Sequence, residues 1–210
     1  MEKGKHVAPT DDKEMNVGVS TMNKVSAIFV LGPPGSGKST QSRLIAEQFG
    51  LFHISAGDIL RAEVESGSED SIMIKAKIAN GKLVPSDFMT RLLLRDIQKS
   101  GKKKFVIDGF PRSMDNLNAL SSTAIETEFV LHLVCSKEVA IERLSNRNEG
   151  RDDDNIKTIV KRFECFESVF PVLECYEFKG KVYKIDAEKS KEGVMQDIKS
   201  AFTMHPRLCS

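Results

Sequence analysis

A chain of 210 residues, 40% hydrophobic and 29% charged, is long enough for one well-buried core with room for a small insertion. With 31 basic against 30 acidic residues and a formal net charge of +1, it carries no global field that would favour nucleic acid or an anionic membrane. No run of about eighteen apolar residues reads as a membrane span. Cys135, Cys165, Cys175 and Cys209 lack a CxxC pair or a His at ligand spacing, which favours reduced thiols over disulfides or zinc.

Residues 1–24, "MEKGKHVAPTDDKEMNVGVSTMNK", are polar and aperiodic and read as a flexible arm. They lack the apolar core of a secretory signal, and Glu2, Asp11, Asp12 and Glu14 without any Arg argue against a mitochondrial presequence, so a cytoplasmic location is expected, with the nucleus also open. An arm of this length leaves room for an address or a partner motif.

The apolar run "VSAIFVLG" then leads into "LGPPGSGKST" and a helical pattern over 38–49. The match to GxxxxGK[ST] is complete, with Gly32, Gly37, Lys38 and Ser39 in place. In a strand–loop–helix context such glycines point successive N–H groups inward, the helix N-terminus adds partial positive charge, and Lys38 reaches the outer phosphates.

Further strands are expected at "FHIS" (Phe52–Ser55), "KFVID" (Lys104–Asp108), "FVLHLV" (129–134) and "VYKID" (Val182–Asp186). Helices are expected over 70–79, 87–99, 137–146, 155–177 and 191–202, several ending at glycines such as Gly50, Gly81 and Gly101. The long 155–177 segment carries Ile156, Ile159, Val160, Phe163, Phe166, Phe170 and Leu173 as a core stripe, and Pro171 is expected to bend or split it. Strands alternating with helices imply a mostly parallel, helix-covered α/β sheet whose carboxyl ends form one ligand edge.

Two arginines follow strands at that edge: Arg61 ends "SAGDILR" and Arg112 ends "DGFPR". An Arg fork takes two oxygens of one phosphate, so their convergence beside the phosphate loop suggests a second phosphoryl site.

"GPPGSGKSTQ", "SAGDILR", "NGKLVP", "DGFPR" and "GRDDDN" follow one another as they do in nucleoside monophosphate kinases, and from about residue 25 to 187 and beyond the chain resembles the UMP/CMP kinase branch of the adenylate kinase family. Ala56 where adenylate kinases have Thr, and Asn116 where they have Gln, carry the branch. Ser39 departs from the family's usual Gly, giving "GKST" rather than "GKGT". The resemblance implies a P-loop NTPase-type three-layer α/β/α fold with a five-stranded parallel sheet, an NMP-binding insertion at about 56–86 and a short lid at about 144–155, within a kinase domain of residues 25–210. It implies reversible phosphoryl transfer from MgATP to UMP or CMP, with dCMP left open, by a monomer without nucleic-acid or membrane partners.

By the same resemblance, ATP is held by Gly35, Ser36, Gly37, Lys38, Ser39, Thr40, Arg143, Arg147 and Lys189. The monophosphate is held by Ala56, Gly57, Arg61, Asn80, Lys82, Val84, Gly109, Arg112, Asn116, Arg151 and Arg162. Lys38, Asp108, Arg112, Arg147, Arg151 and Arg162 would be catalytic, Asp153 and Asp154 would support lid closure, and Mg²⁺ would meet Ser39 directly and Asp108 through water. The lid is shorter than in the enzymes compared and contains no Cys, unlike zinc-bearing lids. The Asn116 amide could accept from the amino group of cytosine or, flipped, donate to a carbonyl of uracil; a purely local backbone bond is the alternative. An adenylate kinase, a small-metabolite kinase and a nucleotide-binding module without turnover remain the rival readings.

Overall fold

A computed structural model describes residues 24–146 and 156–208. In chain order these form β1 (Val25–Leu31), α1 (Lys38–Phe49), β2 (Phe52–Ser55), α2 (Ala56–Glu65), α3 (Ser71–Ala79), α4 (Ser86–Ser100), β3 (Lys104–Asp108) and α5 (Met114–Ser121). There follow β4 (Ile125–Val134), α6 (Lys137–Ser145), α7 (Ile156–Phe166), a 3₁₀ turn (Glu167–Val169), α8 (Phe170–Phe178), β5 (Val182–Asp186), α9 (Lys191–Thr203) and a last 3₁₀ turn (Pro206–Leu208).

The five strands form one sheet in the order β2-β3-β1-β4-β5, and every pairing is parallel. The central strand is apolar along nearly its whole length because both its faces are covered. Ala27, Phe29 and Leu31 join a cluster with Leu92, Leu93 and Ile97 of α4 and Val172 and Leu173 of α8. Ile28 and Val30 face the opposite cluster, with Ile45 of α1 and Val194, Ile198 and Phe202 of α9. The strand period of two thus divides one sequence run between two helical layers. On the second face Phe49 stacks on Phe202 at 3.7 Å between ring centroids. Among the described residues no helix is long and apolar enough to cross a membrane.

Three sequence expectations are refined or corrected. The 155–177 segment is split into two helices, one of the two outcomes expected at Pro171, and the break is a 3₁₀ turn that shifts the helical phase, so Val169 and Val172 are buried while Phe170 is 47% exposed; Val160, placed on the core stripe, is 38% exposed. Pro171 lies in the first turn of α8, where its missing N–H is no loss. Helices α2 and α5 were not expected, yet each has a serine cap whose side chain accepts a backbone N–H three residues on, Ser55 from Asp58 and Ser113 from Asn116. β4 begins earlier than its apolar core, at Ile125, because its parallel ladder with β1 runs from Val25 opposite Ile125 and carries the polar residues along.

Candidate active site

The carboxyl ends of β1, β2 and β3 meet at one edge, and the phosphate loop wraps from β1 into α1. Gly35 sits at φ +84°, and a side chain there would overlap the Ala140 carbonyl of α6, so this loop position admits only glycine. Lys38 Nζ donates to the Pro33 carbonyl at 2.7 Å, which keeps its ammonium over the loop. The Ser36 hydroxyl is buried in the loop without a protein hydrogen-bond partner.

Asp108, at the end of β3, is 3% exposed. Its Oδ1 accepts from Ser39 Oγ and Ser55 Oγ, both at 3.3 Å, and its Oδ2 lies 2.6 Å from His53 Nε2. Ser39 and Asp108, singled out for a metal, are therefore neighbours, and the set they form with Ser55 consists of hard oxygens. Phe110–Pro111 is a cis peptide bond.

One open cavity lies between α2, the α3–α4 loop and the "DGFPR" turn. Ala56, Gly57, Arg61, Lys82, Val84, Gly109, Arg112, Asn116 and Arg162 all line it. Arg61 pairs with Asp58 one helical turn back. Asn80 is not in this lining: its Nδ2 donates to the Ala76 carbonyl at 2.9 Å and its Oδ1 accepts from Lys161 Nζ at 3.4 Å, so it closes α3 against α7 and Gly81 takes its place on the wall. Leu60, Ile78, Met89 and Phe110 complete the apolar walls and were not singled out from the sequence, where they read as ordinary core residues.

A second cavity holds Gly35, Gly37, Lys38, Ser39, Thr40 and Asp108, and Arg61, Arg112, Arg143 and Arg162 reach its lining as well. On the far side of the loop a third space is bounded by Ser36, Thr40, Gln41, Arg143, Ala187 and Lys189. There Arg143 donates to the carbonyls of Ala187 at 2.7 Å and Glu188 at 3.4 Å, and Lys189 is paired with Asp197 at 2.7 Å. Glu188 in turn accepts the Ser136 N–H at 2.7 Å, which with other contacts holds its carboxyl below the usual range. Gln41, which lines this space and donates to the Lys191 carbonyl at 3.0 Å, was not foreseen; its place on α1 two residues after Ser39 is the signal that could have found it.

Arg147, Arg151, Asp153 and Asp154 lie outside the described residues. His53 was also unforeseen, although a polar residue alternating with Phe52 and Ile54 in a strand that ends at the ligand edge is such a signal.

The adenylate kinase family model matches residues 30–181, which span the loop, both cavities and α7. The chain is 52% identical over 182 residues to UMP-CMP kinase 3 of Arabidopsis thaliana, covering 86% of this chain and 90% of that protein. It is 50% identical to UMP-CMP kinase 3 of Oryza sativa subsp. japonica over 88% of this chain and 89% of the relative. Against the uridylate kinase of Saccharomyces cerevisiae the identity is 41%, covering 85% and 91%. With the phosphate loop on one side of the strand edge and a second arginine-lined cavity on the other, the chain belongs to the adenylate kinase family.

Proposed function

We propose that the protein is a UMP/CMP kinase, moving the terminal phosphoryl group of ATP reversibly to UMP or CMP. The observation that carries this reading is the position of Arg112 and Arg162, which line both the monophosphate cavity and the phosphate-loop cavity. Two cavities that share arginines hold two phosphorylated ligands with their reacting ends together. The names of the relatives, which specify UMP, CMP and uridylate, support the pyrimidine acceptor over AMP.

Phosphoryl transfer asks the protein for alignment and for charge neutralisation over the moving oxygens. Lys38 and the loop N–H groups would hold the donor's outer phosphates, and Arg61 and Arg112 the monophosphate. Arg162 would span both, as Arg147 and Arg151 would from the lid. The oxygens of Ser39 and Asp108 suit Mg²⁺, directly or through water, and the ion when bound neutralises phosphate charge. Closure of residues 56–86 and of the lid over 144–155 would exclude water, the competing acceptor. The reading includes a monomer in the cytoplasm.

The test is a bisubstrate compound, adenosine and uridine bridged by a polyphosphate. It should compete against both ATP and UMP, and competition against ATP alone would contradict the two-ligand reading.

A further inference from the structure

Asn116 is the third residue of α5, and its backbone and side chain both tie down the helix start. The Ser113 hydroxyl accepts the Asn116 N–H at 3.2 Å, while Asn116 Oδ1 reaches back to accept the Arg112 N–H at 3.0 Å. Its other end, Nδ2, donates to Ser86 Oγ at 2.8 Å, in the first turn of α4. The side chain is 4% exposed and lines the monophosphate cavity. A backbone N–H can only donate, so a flipped amide would set NH₂ against N–H at Arg112 and leave both buried donors without an acceptor.

We propose that Ser86 is a positioning residue for pyrimidine recognition: its hydroxyl and the Arg112 N–H lock the Asn116 amide in one orientation, and that single orientation reads both bases. This rests on the UMP/CMP kinase reading above and specifies how that site recognises its acceptor.

Each amide end has two hydrogen-bonding positions. Arg112 occupies one on Oδ1 and Ser86 one on Nδ2, which leaves one acceptor and one N–H for the base. Uracil meets that pair with N3–H and O2. Cytosine meets the same pair with its 4-amino group and N3, shifted along its edge by one ring position. No rotation of the amide is needed, in contrast to the flip expected from the sequence. Ser86 itself is absent from the cavity lining, so it acts through Asn116.

The experiment compares wild type, Ser86→Ala and Ser86→Thr by calorimetric binding of UMP, CMP and ATP, together with steady-state kinetics. In Ser86→Ala the amide loses its Nδ2 anchor, and the Kd and KM for UMP and CMP should rise about tenfold, with kcat and ATP affinity little changed. Ser86→Thr keeps the hydroxyl and should stay within about twofold of wild type for both bases. Unchanged pyrimidine affinity in Ser86→Ala overturns the proposal, as does Ser86→Thr behaving like Ser86→Ala, or an equal loss of ATP affinity that marks general misfolding. Wild-type binding of both pyrimidines without turnover would contradict the kinase reading and leave the lock to be judged by the Kd values; wild-type binding of neither would overturn both.

Discussion

His53 Nε2 lies 2.6 Å from Asp108 Oδ2, so the carboxylate that faces the phosphate loop is held from behind by the neighbouring strand. Together with the Ser39 and Ser55 hydroxyls on Oδ1, this gives a buried carboxylate three partners. Burying such a group without them carries a heavy desolvation penalty.

Replacing His53 by Phe removes the shortest of these bonds and leaves Oδ2 without it. The expected cost is about 1.5–3 kcal/mol of folding stability, the range for a hydrogen bond to a charged group. Urea unfolding at neutral pH checks this, and an unchanged midpoint would contradict it.

Gly81 closes α3 at φ +64°, and a side chain on it would sit 2.9 Å from Lys161 Cβ and 3.2 Å from the Arg162 backbone nitrogen. Nearby, Thr158 Oγ1 donates to the Ala79 carbonyl at 3.2 Å, so the insertion and α7 meet here without slack. Gly81→Ala should push Arg162 off its position. We expect kcat/KM for the monophosphate to fall by one to two orders of magnitude, as about 1 Å of misplacement can do, and kinetics of the purified variant would read it directly.

His132 lies on β4 beside Leu31 and Lys184, and its Nδ1 has no partner. Burial, reinforced by the Lys184 charge and opposed by Glu177, holds its pKa below the ordinary 6.5. The unfolded chain therefore binds a proton that the folded chain refuses, and this contribution destabilises the fold as pH falls below 6.5 toward the lowered folded value. His132→Gln removes that component, so the unfolding free energy should fall less steeply with acidification in this window. A variant with the wild-type slope would contradict the assignment.

Arg112 makes separate contacts through its backbone and its side chain. Its N–H orients Asn116, its carbonyl accepts from Ser168 Oγ at 2.7 Å, and its guanidinium Nε donates to the Gly109 carbonyl at 2.6 Å beside the cleft. Arg112→Ala removes only the side chain. Turnover should drop about 10²–10³-fold, as for loss of one transition-state donor, and near-normal kcat would contradict the role.

The sheet was legible because its strands are short apolar runs separated by helical patterns, and the β2, β3 and β5 spans coincide with those expected. Helices α2 and α5 are less legible because they are short and follow the ligand motifs directly; the Ser55 and Ser113 caps are their local signals. The break in the 155–177 segment was legible in Pro171, whereas the 3₁₀ turn of residues 167–169 that makes it carries no signal in the periodicity of the apolar stripe. The cavity walls were partly legible: charged and glycine positions stand out in motifs, whereas Leu60, Ile78 and Met89 look like any core residue until the fold brings them to the pocket. Asn116 stands out in its motif and lines the cavity, but its partner Ser86 lies 30 positions away, and only the packing of α4 against α5 joins them.

The central claim is tested most directly by ADP formation from MgATP with CMP, UMP, dCMP or AMP as acceptor, compared as kcat/KM with a control lacking acceptor. The account predicts strong turnover with CMP and UMP, weak turnover with AMP and almost none without acceptor. Preference for AMP, or ADP formation independent of any acceptor, would contradict it.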